Sequence, residues 1–415
     1  MEEEKQGAPE KSNAATPETK TEPVAATEPF QQNAEMQKTP EGDFIDEKLR
    51  LYYEINLEAP NKIARREFGF GFQKKIDIRH KAFANLQELS RFISTYSPRF
   101  ISYSSAIYNF PAARPIERKE RLGVELIFDL DGSPRNEKCG HKKSAGTLFC
   151  KKCLENVRQD AITLKEDFLI SEFGFKKEEI WQKFSGSKGF HIHIQNEKAM
   201  ELSSNARREL AFYISASELG AQNFLKREEI AKRKFKYSGP DSTSKGWKGR
   251  LHREMKRLLL ASDFSQMKRF ISKRDAENIS KNPVHYINEL DNGNWGIFSK
   301  PESTIQKFVD RKKKEIGIEV DASVTFDLHR LIRLENSIHG DTGFVAKKIE
   351  DNLFPEFDPT IHALPFKKGE TTIIPNDEIK IEFQNQSFRL EGGKRTEVPT
   401  NLALLILCKK RGKLA

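Results

Sequence analysis

The sequence predicts an α/β fold, and three successive segments support that prediction. Residues 123–131 are rich in β-branched, aliphatic and aromatic side chains, which is typical of a strand. Residues 154–173 have helical character, and residues 184–194 return to strand character around a turn with two glycines. Strands and helices that alternate along one chain are typical of the α/β class.

Composition divides the chain into four segments. Residues 1–42 are rich in Glu, Pro, Thr, Ala and Gln, so we expect a disordered acidic tail, with a partner-binding tail as the alternative. Helical spacing begins at Phe44, and the first part of the folded core is expected at 43–225. A basic, mostly helical insertion is expected at 226–310, and residues 311–415 are expected to complete the core with short strands.

The charge of the chain is distributed unevenly. The 415 residues carry a net charge of +10. Residues 1–42 hold nine Glu and four Lys, a net charge of −5, which leaves +15 for residues 43–415. Residues 226–274 alone hold 16 Lys and Arg against five acidic residues. This pattern indicates a polyanionic partner such as nucleic acid, or else a basic protein with solvated helix faces.

Several protein classes are excluded by the same sequence. The longest apolar run, Leu402–Cys408, has seven residues, whereas a membrane helix needs about 18. The N-terminus shows no secretory signal, and four cysteines in 415 residues do not make a disulfide framework. We therefore expect a protein of a reducing compartment and exclude membrane, secreted mini-domain and fibrous proteins.

Two carboxylates end the strand at 123–131. Asp129 and Asp131 share one face of a strand with Glu125, because side chains alternate between faces. The opposite face is expected to enter the core through Val124, Leu126, Phe128 and Leu130. Converging carboxylates repel unless a cation lies between them, and hard oxygen ligands suit Mg²⁺ or Mn²⁺. The alternative is an ordinary polar strand end.

A donor-rich turn follows at residues 185–191. Gly186 and Gly189 allow the backbone amides to turn inward into an anion nest. Ser185, Lys188 and His191 add donors for phosphate oxygens. The spacing is not that of a Walker A loop. Phosphate binding is favoured over a β-turn with incidental polar residues.

Three of the four cysteines form a cluster with one histidine. The pattern Cys139-x-His141-x8-Cys150-x2-Cys153 contains a pair of thiolates at zinc-ligand spacing and a Cys/His pair to complete a tetrahedron. Four protein ligands close the coordination shell, so the sequence predicts a structural Zn²⁺. The alternative, a redox Cys-x2-Cys pair, leaves the neighbouring residues unexplained.

A second basic motif lies late in the chain. Asp321 precedes Arg330 and Arg333, which are neighbours if the segment is helical, and His339 follows. A third carboxylate near two arginines and a histidine would complete a metal and triphosphate site. A surface ion-pair network is the alternative.

Taken in order, these motifs resemble the catalytic small subunit of archaeal and eukaryotic DNA primases, with the archaeal form the more similar. The resemblance extends from Tyr52-Tyr53 to the C-terminus. The segments that carry it are Arg65-Arg66-Glu67-Phe68-Gly69-Phe70, Ile78-Arg79-His80-Lys81-Ala82-Phe83, Tyr103-Ser104-Ser105-Ala106, Phe128-Asp129-Leu130-Asp131, the cysteine cluster, Phe184-Ser185-Gly186-Ser187-Lys188-Gly189-Phe190-His191, Asp321-x-x-Val324-Thr325, Arg330-Leu331-Ile332-Arg333 and Ser337-Ile338-His339-Gly340-Asp341-Thr342-Gly343.

The resemblance implies a role for each matching residue. The catalytic, metal-binding carboxylates would be Asp129, Asp131 and Asp321. The residues that bind or lie near the incoming nucleotide would be Arg66, Ser185, Lys188, His191, Arg333 and His339. The fold it implies is a primase-type core of mixed sheets flanked by helices.

The implied activity is DNA-templated, de novo synthesis of short RNA primers for replication by two-metal nucleotidyl transfer. The expected cofactors are catalytic Mg²⁺ or Mn²⁺ and structural Zn²⁺. The expected partners are single-stranded DNA template, nucleoside triphosphates and a large primase subunit, in the cytoplasm. Two alternatives remain: a repair primase-polymerase that mainly extends ends, and a non-catalytic, zinc-stabilised nucleic-acid-binding subunit.

Overall fold

A computed structural model describes residues 39–72, 74–131 and 148–415 of the chain. The expected tail up to Lys38 and two expected zinc ligands, Cys139 and His141, lie outside these described residues. Residues Glu41–Ala415 form one compact unit. Within the described ranges, no helix is both long and apolar enough to cross a bilayer.

Thirteen α-helices and seventeen strands are described in this unit and the residue before it, beside shorter 3-10 helices and one π-helix, Leu164–Ile170. The helices are α1 Pro40–Asn56, α2 Leu86–Tyr96, α3 Lys151–Thr163, α4 Glu197–Met200, α5 Ser204–Ser215, α6 Gly246–Ala261, α7 Phe264–Met267, α8 Lys273–Lys281, α9 Pro283–Asp291, α10 Pro301–Ile316, α11 Ala322–Phe326, α12 Pro359–His362 and α13 Thr400–Cys408. The strands are β1 Phe68–Gly71, β2 Ile78–Lys81, β3 Phe100–Ser104, β4 Ala106–Tyr108, β5 Arg121–Val124, β6 Leu126–Asp131, β7 Ile180–Phe184, β8 Gly189–Ile194, β9 Lys226–Ala231, β10 Lys234–Ser238, β11 Leu331–Arg333, β12 Lys348–Ile349, β13 Glu370–Pro375, β14 Ile379–Phe383, β15 Gln386–Leu390, β16 Thr396–Pro399 and β17 Gly412–Leu414.

Two four-stranded sheets position the candidate site. One has the order β11-β3-β1-β2 and the other the order β12-β7-β8-β6. A three-stranded sheet, β16-β13-β17, and the hairpins β9–β10 and β14–β15 lie elsewhere in the fold. The predicted mixture of helices and sheets is confirmed, and the named strand pairs in the described residues are antiparallel. Short turns such as the one between β7 and β8 favour this arrangement.

Two hydrophobic cores meet at β6. Leu126, Phe128 and Leu130 belong to the larger core, which also includes the buried side chains of α6 and α10. Ile127, from the opposite face of the same strand, belongs to the second core with α1 and β3. The carboxylates that follow on this strand therefore lie at the boundary between the two cores.

Three predicted boundaries differ from the structure. The first helix begins at Pro40, inside the expected tail, because proline is suited to the first turn and Glu41 and Asp43 complement the helix dipole. The predicted strand at 123–131 is divided at Glu125 into β5 and β6. Strand β5 pairs with β4, whereas β6 pairs with β8.

The third difference concerns the basic segment, which begins with a hairpin, β9–β10, and continues as helices. Alternating cationic and aromatic residues in Lys234–Ser238 favour a strand period of two over a helical one.

Candidate active site

Asp129 and Asp131 lie on β6, next to strand β8. Asp129 pairs in register with His191, and Asp131 pairs with Gly189. Leu126, Phe128 and Leu130 are almost completely buried on the opposite face, as the alternation of the strand predicts. The strand thus supports the two carboxylates on a rigid, well-packed base.

Asp321 is brought to the same place from a distant part of the sequence. Its backbone N–H donates to the carbonyl oxygen of Asp129 at 2.9 Å. Its carboxylate caps α11, where Oδ1 accepts from the backbone N–H of Ser323 at 2.9 Å and from the Ser323 hydroxyl at 2.6 Å. The structure therefore places all three predicted carboxylates in one region.

The Asp129 carboxylate lies in an unfavourable electrostatic environment. Its buried Oδ1 accepts no hydrogen bond from the described residues, and His191 Nε2 lies 3.4 Å away. Burial, followed by the charges of Asp131 and Asp321, raises the pKa of Asp129 to about 7. A cation beside these oxygens would relieve both effects, so the donor set fits a hard divalent ion.

Two of the three carboxylates, Asp131 and Asp321, have protein partners. Lys188 Nζ is 3.3 Å from Asp131 Oδ2, and Asp321 bonds to the start of α11. In these orientations, no group of three His, Cys, Asp or Glu residues in the described part of the chain has the spacing of a metal site. A bound cation would have to compete with Lys188 and Ser323 for these oxygens.

The turn between β7 and β8 is closed by its serine and glycines. The Ser185 hydroxyl accepts from the backbone N–H groups of Ser187 and Gly189, each at 3.3 Å. Gly186 has a φ of 82°, and a Cβ there would lie 2.9 Å from the Cβ of His339. A Cβ on Gly189 would lie 2.1 Å from the carbonyl oxygen of Leu130. Only glycine lets the turn approach both β6 and the His339 segment.

His191 and His193 point to the same face of β8, as the sequence predicts, but their surroundings differ. His191 faces Asp129, whereas His193 is fully buried and stacks on Trp181 with ring centroids 3.8 Å apart. Burial and the nearby Lys183 lower the pKa of both histidines well below the usual range. Both rings are therefore neutral at physiological pH, and His191 is the one that faces the carboxylates.

Arg333 and His339 share the ring of Phe100. The Arg333 guanidinium carbon lies 5.0 Å from the Phe100 centroid, and the His339 ring meets the same phenyl edge-on at 5.5 Å. Arg333 is buried, yet its Nε and Nη1 donate to no acceptor in the described residues. Buried donors of this kind are favourable only when an acceptor such as a phosphate oxygen is present. The conditional expectation that Arg330 and Arg333 are helical neighbours is not met, because Leu331–Arg333 is strand β11.

Arg66 has a different environment from the other predicted nucleotide ligands. Its guanidinium is buried and donates to the carbonyl oxygens of Asn61, Ser104 and Ser105 at 2.8–3.0 Å, and it forms an ion pair with Glu125. These contacts join Glu125, which immediately precedes β6, to the C-terminal end of β3. A direct contact with nucleotide stays a prediction.

Two of the predicted zinc ligands are described. Cys150 is the N-cap residue of α3, and its sulfur accepts from the backbone N–H of Cys153 at 3.4 Å. The Cys-x2-Cys pair therefore lies on the first turn of a helix. With Cys139 and His141 outside the described residues, the four-ligand site stays a prediction.

Sequence reasoning did not identify a buried polar cluster beside the site. Lys183 Nζ donates to the backbone oxygen of Arg333 at 2.6 Å and to Glu335 Oε1 at 2.9 Å. The same Glu335 oxygen accepts from the Tyr103 hydroxyl at 3.1 Å. A lysine inside the otherwise largely apolar strand 180–184 was the signal available in the sequence.

Comparisons with known proteins identify a family and several relatives of this chain. The family model described as DNA primase small subunit matches residues 128–351, which include the three aspartates, the turn and His339. A DNA primase small subunit of Picrophilus torridus is 31% identical over 87% of this chain and 95% of its own length. That of Thermoplasma acidophilum is 30% identical over 81% of this chain and 89% of its own length.

Proposed function

The chain belongs to the family of DNA primase small subunits, and on that premise we propose how its residues divide the work of primer synthesis. It is the catalytic subunit of a DNA primase, a nucleotidyltransferase that acts in DNA replication. The proposal concerns the finer points: the ions, the nucleotide ligands, the template surface and the partners.

Asp129, Asp131 and Asp321 are the residues that hold catalytic Mg²⁺ or Mn²⁺. The observation that carries this assignment is the buried Asp129 oxygen that accepts no hydrogen bond from the described residues and lies near the charges of two further carboxylates. Divalent ions held by these carboxylates would supply Lewis-acid chemistry, lowering the pKa of an attacking 3′-hydroxyl and stabilising a departing pyrophosphate. Without a bound ion, Lys188 compensates the charge of Asp131, and the backbone N–H of Ser323 compensates that of Asp321.

The triphosphate is held by groups of the Ser185 turn, by Arg333 and by two histidines. The Ser185 turn supplies the exposed Lys188, while Arg333 supplies two buried donors without acceptors in the described residues. His191 and His339 are neutral, so they position phosphate oxygens as hydrogen-bond partners and add no charge. These groups orient the α-phosphate towards the carboxylates and disperse the charge that develops on the leaving group.

Single-stranded DNA template is proposed to bind along the basic segment 226–274. Hairpin β9–β10 supports this assignment because β9 is exposed throughout, the turn carries Lys232 and Arg233, and β10 begins with Lys234. Such cations neutralise phosphates without reading sequence, as a primase that initiates at many sites requires.

A structural zinc ion is proposed for Cys139, His141, Cys150 and Cys153. The placement of Cys150 and Cys153 on one helical turn supports two thiolates converging on one ion. Metal analysis should find about one zinc per chain in the wild type and a loss in Cys153→Ser. Equal zinc in both proteins would remove Cys153 from the site.

The remaining proposals concern context. We propose a complex with a large primase subunit, cytoplasmic and at the replication machinery, because the curated relatives are named small subunits. Co-expression with the large subunit of the same genome and co-purification on one tag would test the complex; separate elution of the two chains would contradict it.

Primer-free synthesis is the decisive test of the activity. The chain is incubated with single-stranded DNA, labelled nucleoside triphosphates and Mg²⁺ or Mn²⁺. We expect metal-dependent RNA products from wild type and a loss of at least about a thousandfold in Asp129→Ala, because a site for divalent ions fails when one of its carboxylates is removed. Full activity of a folded Asp129→Ala would contradict the assignment. Products only with an annealed primer would favour the extension-type enzyme.

A further inference from the structure

We propose that Lys183 is a positioning residue that fixes the phosphate-binding Arg333 relative to the carboxylates. The inference rests on the proposed function, because it takes Arg333 as a ligand of the triphosphate. Lys183 itself is buried and contacts protein groups, so its effect on the reaction passes through the residue it holds.

Lys183 belongs to the strand row that contains Asp129. In the β12-β7-β8-β6 sheet, Lys183 pairs with His191 and His191 pairs with Asp129. Residues in register on adjacent antiparallel strands point to the same face. The lysine therefore lies two strands from the candidate metal site and on the same side of the sheet.

The ammonium group of Lys183 reaches from this sheet to the other one. It donates to the backbone oxygen of Arg333 at 2.6 Å and to Glu335 at 2.9 Å, and these residues lie at the end of β11 and just beyond it. The ammonium group also lies 5.6 Å from the centroid of the Tyr103 ring, and the Tyr103 hydroxyl completes the cluster through Glu335. One buried cation thus links the carboxylate sheet to the strand that carries Arg333.

The position of the Arg333 backbone matters because its guanidinium has few other constraints. The group lies over Phe100, and two of its nitrogens have no acceptor among the described residues. A shift of the β11 end would move these donors relative to the Ser185 turn. Charge-assisted hydrogen bonds to phosphate depend on such alignment, so a displaced guanidinium would bind the triphosphate more weakly.

A purely structural role for Lys183 makes a different prediction. Removing one member of any buried ion pair destabilises a protein, whatever its position. Lys165 offers a matched control, because it is also buried and its ammonium group bonds to Gln182, on the other face of β7, and to Asp351. Only the Lys183 variant should alter nucleotide binding.

The test compares Lys183→Met, Arg333→Gln, their combination and Lys165→Met in the full chain. Two quantities are measured on an annealed primer: the nucleotide KM, and the inhibition constant of inorganic tripolyphosphate. We expect Lys183→Met to raise both by about 10–100-fold with kcat within about threefold, since phosphate affinity is lost in ground and transition states alike. In the Arg333→Gln background, Lys183→Met should raise the two constants further by less than about threefold, because the two residues act through one contact. Lys183→Arg should restore most of the affinity, since it keeps the charge and the donors.

Each result has a defined meaning. Three results would overturn the positioning role. Lys183→Met could raise the two constants equally in the wild-type and Arg333→Gln backgrounds, Lys165→Met could raise them as much as Lys183→Met does, or Lys183→Met could leave KM unchanged. If Arg333→Gln itself leaves both constants unchanged, the proposed triphosphate site fails, and that outcome is distinct from a failure of Lys183 alone. Should Lys183→Met not fold, Lys183→Met/Glu335→Gln replaces it, because this variant removes both charges of the pair.

Discussion

At the scale of single residues, the site combines buried cations, buried carboxylates and neutral histidines. Burial and the adjacent Arg333 lower the pKa of His339 to about 2. Burial also lowers the pKa of Arg333, to about 10, which leaves it charged at physiological pH. The arginine therefore supplies the charge at this position, and the histidine supplies shape and hydrogen bonding.

The neutral state of His339 predicts how stability depends on pH. In the unfolded chain a histidine binds a proton below about pH 6.5, whereas folded His339 binds one only near pH 2. The contribution of neutral His339 to the free energy of unfolding is therefore present above about pH 6.5 and is lost as the pH falls below it. When the pH is lowered from 7 to 5, the free energy of unfolding of the wild type should fall by about 2 kcal/mol more than that of His339→Asn. Urea denaturation followed by circular dichroism measures this difference, and parallel losses in the two proteins would contradict it.

At the scale of elements, two hairpins have different tasks. The β7–β8 hairpin is packed closely against β6 and His339, and its glycines are required by contacts to neighbouring backbone and side-chain atoms. The β9–β10 hairpin is largely exposed and carries charge. Substitutions should therefore affect stability and catalysis in the first hairpin and nucleic-acid affinity in the second.

Gly189→Ala tests the close approach of β8 to β6. Its Cβ would lie 2.1 Å from a backbone oxygen, which cannot move without shifting Asp131. We expect about 2–3 kcal/mol lower stability and a loss of synthesis. Gly174→Ala is the control, because that glycine has a φ of 76° but open space around it. Gly174→Ala should lower the free energy of unfolding by about 1 kcal/mol and leave primer synthesis unchanged. Similar activities of the two variants would show that the approach is not needed.

Lys232→Ala/Lys234→Ala/Lys236→Ala tests the exposed hairpin. If these side chains neutralise template phosphates, single-stranded DNA should bind about tenfold more weakly, and the slope of log K against log salt should fall by about 2. Fluorescence anisotropy across a salt series measures both. The control Lys380→Ala/Arg389→Ala/Lys394→Ala removes the same charge from exposed side chains on and next to hairpin β14–β15, and it should change neither the affinity nor the slope. Equal losses would indicate general attraction by net charge.

At the scale of the whole molecule, the fold joins two hydrophobic cores, and β6 contributes to both. The site lies where they meet. Its components come from residues as distant in sequence as Asp129 and His339, so the cores must pack in a fixed relation for the site to form. Helix α1 belongs to the second core through Ile45, Leu49, Tyr52 and Tyr53.

Truncation of the chain tests where the folded unit begins. Deleting residues 1–38 leaves α1 whole, so primer synthesis and thermal stability should stay within about twofold and 2 °C of the full chain. Deleting residues 1–56 also removes Tyr53, whose hydroxyl accepts from the backbone N–H of Ile338 at 3.0 Å. That variant should lose activity and melt at least about 10 °C lower, as expected when several core side chains are removed. Calorimetry and the primer-free assay measure both, and an equally stable shorter variant would contradict the role of α1.

The candidate site was predictable where chemistry is concentrated in short segments. Asp129 and Asp131 are identified by strand alternation, and the turn at 185–191 by its density of donors and glycines. Asp321, Arg333 and His339 were assigned through the family resemblance, because the contacts that bring them together join residues far apart in the chain. The hairpin at 226–238 was missed because its high charge obscured the alternation of Phe235 and Tyr237.

The sequence by itself determined the α/β class, the family, the carboxylate pair and the basic character of the body. These properties depend on residue type and local spacing, which the chain contains directly. Only the tertiary structure decided that Arg66 is committed to Glu125 and backbone oxygens, that His339 is neutral, and that Lys183 reaches Arg333. Burial and long-range contacts set these properties, because the cost of removing a charge from water depends on which distant groups surround it.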